Sequence, residues 1–263
     1  MWLDVVDLRD YYETPLGQTT RRMIRRRIRS FWPDTKGLRV AGLGYATPFL
    51  NQFKTEAERT IALMPAAQGV LHWPVDGRGL TTLVDEAELP LPDVSVDRFL
   101  LIHALEHTHQ LQPLMREIWR VLTGGGRLLV VVPNRTGIWS RLERTPFGHG
   151  HPYTVGQITR LLKDSMFTPM GHSGALFMPP SKSRMMLAGA PAWEKIGLRW
   201  FKTFGGVVIV EAGKQIYASP HGASSKRKRL YIPLTNGANN RHIIQERDGK
   251  KTMEKLKGGC SPS

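Results

Sequence analysis

Apolar positions along this chain fall into two rhythms, short unbroken runs and runs at helical spacing. From residue 16 to residue 32, Leu16, Met23, Ile24, Ile28 and Phe31 share one face while arginines take the other, which predicts an amphipathic helix ended by Pro33 and Gly37. Short apolar runs follow at residues 38–43, 60–64 and 80–84, and each closes in a turn. The first runs into Gly42-Leu43-Gly44-Tyr45-Ala46, with residues 47–54 placed to start a helix. The second stops at Pro65 and the third at the acidic turn Asp85-Glu86-Ala87-Glu88. Residues 89–134 are the most informative stretch. A proline-punctuated turn leads to an apolar run at 99–105. A helix follows, with Leu114, Ile118, Val121 and Leu122 on one face. Gly124, Gly125 and Gly126 read as its stop, and a second apolar run spans 128–132. Strand, helix and strand in that order form a βαβ crossover, whose strands are buried on both faces. Beyond it, residues 152–167 read as a helix, and residues 176–178 and 207–217 as a closing pair of strands, the last alternating as an antiparallel edge would.

This alternation predicts a parallel α/β sheet with ligands beyond the carboxyl ends of its strands, near His103 and Pro133. The 263 residues, 41% of them hydrophobic, suffice for one such domain with appendages. Gly42-x-Gly44-x-Ala46 lies between a strand and a helix, where glycine lets backbone N–H groups approach a ligand. It lacks the third glycine of a dinucleotide fingerprint, which argues against a dehydrogenase.

Charge changes the picture at the chain's two ends. The formal net charge is +15. One cluster is Arg21, Arg22, Arg25, Arg26, Arg27 and Arg29. A second follows Ser219, where ten basic residues, including Lys226, Arg227, Lys228 and Arg229, face only Glu246, Asp248 and Glu254. That tail has little apolar periodicity and reads as disordered. The basic helix and tail leave nucleic acid or an anionic membrane surface open as partners, beside the plainer reading of a packed lid helix with a solvated face. The lone Cys260 can form no internal disulfide, the first residues lack a signal-peptide pattern, and no apolar run spans a bilayer. A cytoplasmic protein is therefore expected.

The order of elements, together with LPLPD at 89–93, LEH at 105–107, RVLTGGG at 120–126 and VPN at 132–134, resembles the class I S-adenosylmethionine-dependent methyltransferases, and most closely their type 11 branch. The resemblance implies a Rossmann-like fold with a seven-stranded, mostly parallel sheet, its last strand antiparallel and helices on both faces. With the composition of the two ends, the expected organisation is a helical cap over residues 1–35, a methyltransferase-like domain over 36–218 and the basic tail over 219–263. The implied cofactor is S-adenosylmethionine, lying across the carboxyl ends of the first three strands, and the implied activity is methyl transfer to a small molecule. Gly42, Gly44 and Ala46 match the glycine loop facing the methionine part. Asp85 matches the acid that contacts the adenine amino group, Glu86 the neighbour whose N–H reaches the ring, and His103 the position facing cofactor and substrate. The acid that usually binds the ribose hydroxyls falls at Met64. A non-catalytic methyltransferase-like scaffold and an RNA methyltransferase are the alternative functions.

For catalysis, His103 is the candidate by position. His107 reads as part of a helix start with Glu106 as its capping partner. Residues 144–154, RTPFGHGHPYT, read as a substrate-recognition loop. Its His149 and His151 lack the further ligands of a zinc site.

Overall fold

The computed structural model describes residues 4–216. The basic tail, with Lys226, Arg229 and Cys260, lies outside the described residues. Seven strands form one sheet: β1 (Arg39–Gly44), β2 (Arg59–Pro65), β3 (Thr81–Val84), β4 (Val96–Ile102), β5 (Leu122–Pro133), β6 (Phe167–Ala175) and β7 (Val207–Lys214). Their order is β3-β2-β1-β4-β5-β7-β6. All pairings from β3 to β5 are parallel, and β7 runs antiparallel to both β5 and β6. The α-helices among the described residues are α1 (Val5–Glu13), α2 (Pro15–Phe31), α3 (Thr47–Leu50), α4 (Leu111–Val121), α5 (Val155–Asp164), α6 (Arg184–Ala188) and α7 (Ala190–Trp200). The expected Rossmann-like sheet, with its antiparallel last strand, is therefore present. No helix among the described residues is long and apolar enough to cross a membrane.

Alternate residues of each central strand feed two apolar layers. On one face Val40, Met64, Leu100 and Ile102 pack beneath α1, α2 and α3 through Leu8, Ile24, Ile28 and Phe49. On the other, Leu43, Phe99, Leu101 and Val130 pack beneath α4 and α5 through Leu114, Ile118 and Ile158. Trp32, just past α2, donates from Nε1 to Glu211 on β7 at 3.0 Å, which ties the basic helix to the sheet. Arg120 on α4 holds the 89–93 turn through the carbonyls of Leu89 and Leu91 and the carboxylate of Asp93.

Two sequence expectations need correction here. The glycine triplet does not stop a helix: α4 ends at Val121, and residues 124–126 lie within β5. Residues 176–178 are not a strand, since the chain leaves β6 at Ala175 and Leu176 adopts φ +65°. The partner of β7 is instead residues 167–175, whose Pro169, Gly171 and Gly174 hide a strand pattern on the sheet's outer edge.

Glu56, ahead of β2, accepts from both Arg29 guanidinium nitrogens and from the Thr35 hydroxyl. The Arg29 hydrogen bond pulls its pKa from 4.5 down to about 2. Because the folded pKa is depressed, the pair stabilises the fold fully above pH 4.5 and loses that contribution as pH falls toward 2. With Arg29 more than a third exposed, solvent screening reduces its worth to about 1 kcal/mol. Urea unfolding of Glu56→Gln at neutral pH should show that deficit, and the deficit should shrink steadily when the titration is repeated toward pH 3.

Candidate active site

β1 and β4 end side by side, with Gly44 paired to Ile102. Gly44 turns the chain out of the sheet at φ +89°, and a Cβ there would lie 2.1 Å from the Ile102 carbonyl oxygen. The Ala46 N–H donates to the Gly44 carbonyl at 2.9 Å, and one helical turn, α3, follows. Gly42 lies inside β1. A side chain there would meet Ala46 at 2.6 Å and Leu50 at 2.9 Å, so its bareness seats α3 on the strand.

Across this gap, His103 is the first residue after β4 and takes φ +54°. A non-glycine residue in that region costs about 1–2 kcal/mol and persists where its surroundings hold it. Contacts at both ring nitrogens do so. Nε2 lies 2.7 Å from the Tyr12 hydroxyl, and Nδ1 lies 3.3 Å from Glu106 Oε1. The Gln68 side-chain amide donates to the His103 carbonyl. Tyr12, on α1, also stacks on Tyr45 of the glycine turn with ring centroids 5.7 Å apart, and burial pushes its phenol pKa well up. Phe147 from the 144–154 loop approaches the imidazole to 5.1 Å. Helix α1, the glycine turn, the turn after β2 and the 144–154 loop therefore converge on His103.

Glu106 does not cap a helix. The N-cap of α4 is Gln110, which makes no side-chain cap bond. Glu106 is buried instead, and among the described residues neither of its carboxylate oxygens makes a hydrogen bond. Its Oε1 faces His103 Nδ1 at 3.3 Å. His107 is buried beside it, and that burial lowers its pKa. The 144–154 loop is pinned here because the His151 N–H donates to the Glu106 carbonyl at 2.8 Å. His149 is engaged within the loop by the Glu143 carbonyl at 2.6 Å.

At the ends of β2 and β3, residues Pro65, Ala66, Ala67, Val84, Asp85, Glu86, His109 and Gln110 surround a cavity of about 230 Å³. Asp85 is exposed, and its Oδ1 accepts the Ala87 N–H at 2.9 Å. The Glu86 carboxyl is bonded by the Thr108 hydroxyl, and burial raises its pKa. Met64 contributes no polar group to this space. Its side chain is buried, with the sulfur accepting the Leu71 N–H at 3.3 Å. Asp85 and Glu86 are thus the carboxylates lining the cavity. A second cavity, about 660 Å³, opens at the β6–β7 end of the sheet beside Asn134, Thr154 and His172, away from the glycine turn.

Sequence reasoning named Gly42, Gly44, Ala46, Asp85, Glu86 and His103. The structure places Gly44 and His103 across one gap, Asp85 and Glu86 in one cavity, and Gly42 and Ala46 under α3. It adds Tyr12, Gln68 and Glu106. A carboxylate three residues after His103 is the one sequence signal for these, and its burial is visible only in the structure.

A family model described as a methyltransferase domain matches residues 31–130. A probable S-adenosylmethionine-dependent methyltransferase of Mycobacterium tuberculosis is 37% identical over 95 residues, covering 35% of this chain and 34% of that protein. A similarly described protein of Mycolicibacterium smegmatis is 37% identical over 83 residues, 31% of this chain and 32% of its own length. The match thus spans about a third of these curated relatives. Among solved structures, a Thermotoga maritima S-adenosylmethionine-dependent methyltransferase, described as a possible histamine N-methyltransferase, superposes with TM-score 0.57 at 15% identity, over 80% of this chain and 96% of that one. An Aquifex aeolicus S-adenosylmethionine-dependent methyltransferase gives TM-score 0.51 at 14% identity, over 80% and 98%. These structural likenesses bear on the fold alone. Residues 31–130 thus resemble a methyltransferase domain in sequence, and the fold is the one shared by these S-adenosylmethionine-dependent methyltransferases.

Proposed function

We propose that this protein binds S-adenosylmethionine across the carboxyl ends of β1, β2 and β3 and methylates a small molecule on the side of His103 and the 144–154 loop. The observation that carries this reading is the pairing of two features along one edge of the sheet. One is a cavity walled by Val84, Ala66 and Ala67 with Asp85 and Glu86 as acceptors. The other is a glycine turn facing a strained, buried histidine. An apolar slot with a carboxylate at its rim suits a purine carrying an exocyclic amine, so the residues present fit the cofactor's adenine end. Asp85 would accept from that amine and the Glu86 N–H would donate to the ring. Gly44 gives the methionine end close access to backbone, and Gly42 and Ala46 serve by keeping α3 tight against β1. When bound, the cofactor supplies a methyl group on a positively charged sulfur, which a nucleophile can take directly.

Methyl transfer needs alignment of nucleophile and methyl group above all. Helix α1 and Phe147 close the space around His103 and exclude water from it. His103, faced at Nδ1 by Glu106 and met at Nε2 by Tyr12, is placed to accept a proton from an oxygen or nitrogen nucleophile. Tyr12 would give up its hydrogen bond for the acceptor's.

The readout is the fate of a labelled methyl group. Incubating the protein with methyl-labelled S-adenosylmethionine and a fractionated cell extract should put label into the low-molecular-mass fraction. Label confined to RNA would replace this reading with the RNA methyltransferase alternative. Label transferred nowhere, with cofactor still bound, would favour the scaffold alternative.

A further inference from the structure

Helix α7 carries a feature that methyl transfer does not use. Its buried side is formed by Ala190, Glu194 and Gly197. Gly197 sits directly on the ring of Phe177, where a Cβ would come within 2.1 Å. Glu194 accepts the Phe177 N–H at 2.9 Å, and its pKa is raised by burial. With that side anchored, the helix turns Trp193, Ile196 and Trp200 outward at i, i+3 and i+7, a single stripe. Trp200 is 72% exposed, and Met185 of α6 is 81% exposed. Phe201 and Phe204, just past the helix, are exposed as well. Six large apolar side chains in 20 consecutive residues, all facing solvent, exceed the scattered exposures of an ordinary surface.

The charges around this stripe select its occupant. Lys195 and Arg199 on the same helix are exposed, as are Lys182 and Arg184 shortly before it in the chain. Glu194, the one acidic residue between positions 181 and 204, is turned into the protein. Helix α2, which packs against both α6 and α7, adds a groove lined by Arg21, Arg22, Arg25, Arg26 and Arg29. A second copy of this chain would set these cations against their own likeness. The chain's own segment beyond Ser219 is also strongly basic. The complementary partner is therefore anionic and able to receive indole and phenyl rings at once. A bilayer interface meets both demands, since tryptophan concentrates at headgroup level and basic side chains meet anionic lipids.

We propose that the α7 face of Trp193, Ile196 and Trp200, with Met185, Phe201 and Phe204 beside it, seats this protein on an anionic membrane surface. The helix would lie in the interface plane, its stripe from Trp193 to Trp200 about 10 Å long, with Lys195 and Arg199 among the headgroups. Such docking stands apart from cofactor binding and does not depend on it.

The test is co-sedimentation of the full-length chain with phosphatidylcholine vesicles, with and without phosphatidylglycerol. Wild type should sediment with the phosphatidylglycerol vesicles only, and the Trp193→Ser/Trp200→Ser double variant should partition roughly tenfold more weakly or worse. Both residues are exposed, so the variant should keep the wild-type melting temperature, which checks its fold. Lys195→Glu/Arg199→Glu should weaken binding too. Equal partition of wild type and the tryptophan variant overturns the proposal, even where Arg21→Glu/Arg25→Glu abolishes binding, because the contact would then belong to α2. Failure of wild type to sediment also overturns it. So does concentration-dependent dimerisation that the tryptophan variant abolishes without any vesicle binding.

Discussion

Replacing Gly44 with alanine should destabilise the protein by about 3–5 kcal/mol, a large share of the stability typical of a single domain. Two costs combine at this position. The backbone sits at φ +89°, where any Cβ is strained by about 1–2 kcal/mol. The added carbon would also lie 2.1 Å from the Ile102 carbonyl oxygen, 3.0 Å from the Ala104 Cβ and 3.1 Å from the His103 carbonyl carbon. Two of those three atoms are backbone, so β1 and β4 would have to part where the site is built. Gly37→Ala isolates the first cost, because Gly37 has φ +69° and open space around it. Thermal melts should therefore show Gly44→Ala falling by about 10 °C and Gly37→Ala by only a few degrees. Equal melting of the two variants would mean that β1 and β4 do not approach at Gly44 as described.

Asp85→Ala should weaken binding of S-adenosylhomocysteine by roughly tenfold to a hundredfold while changing the melting temperature little. A hydrogen bond to a charged group contributes about 1.5–3 kcal/mol, and tenfold in affinity corresponds to about 1.4 kcal/mol. On the proposed reading the ribose-binding acid would fall at Met64, which is buried and accepts the Leu71 N–H at its sulfur. Asp85 and Glu86 are then the carboxylates left in the cavity, and Glu86 already holds Thr108. On the proposed reading Asp85 would therefore carry a large share of the polar recognition. Its own structural duty is small: it is exposed and accepts one N–H, from Ala87. Calorimetric titration of the variant separates the two effects. An affinity equal to wild type would remove Asp85 from the cofactor site.

The central sheet was legible because its signals are strong and local. Strands β1, β2, β4 and β5 are buried on both faces and read as apolar runs, and α4 shows clean helical spacing. The edge resisted reading for the same physical reason in reverse. Strand β6 pairs on one side only, and its burial pattern carries Pro169, Gly171 and Gly174 through a strand that β7 imposes on it. The glycines at 124–126 were misread because flexible residues accept either a helix stop or the start of a strand, and pairing across the sheet decided. In the site, His103 followed from its place after a parallel strand. Tyr12 did not, since its contact with His103 joins residues 91 positions apart in sequence. In sequence Glu106 reads as a cap, because a carboxylate ahead of a helix usually is one. Only the packing of the 144–154 loop over it shows that it is shut away from solvent beside His103.

On the proposed reading the cleft at the ends of β1, β2 and β3 binds S-adenosylmethionine although Met64 offers it no carboxylate. Isothermal titration of the full-length protein with S-adenosylhomocysteine addresses it without any knowledge of the methyl acceptor. Saturable one-site binding, with a dissociation constant between about 10 μM and 1 mM as befits a site short of one charged acceptor, is the predicted result. No heat of binding at millimolar ligand, from protein that melts cooperatively, would contradict it.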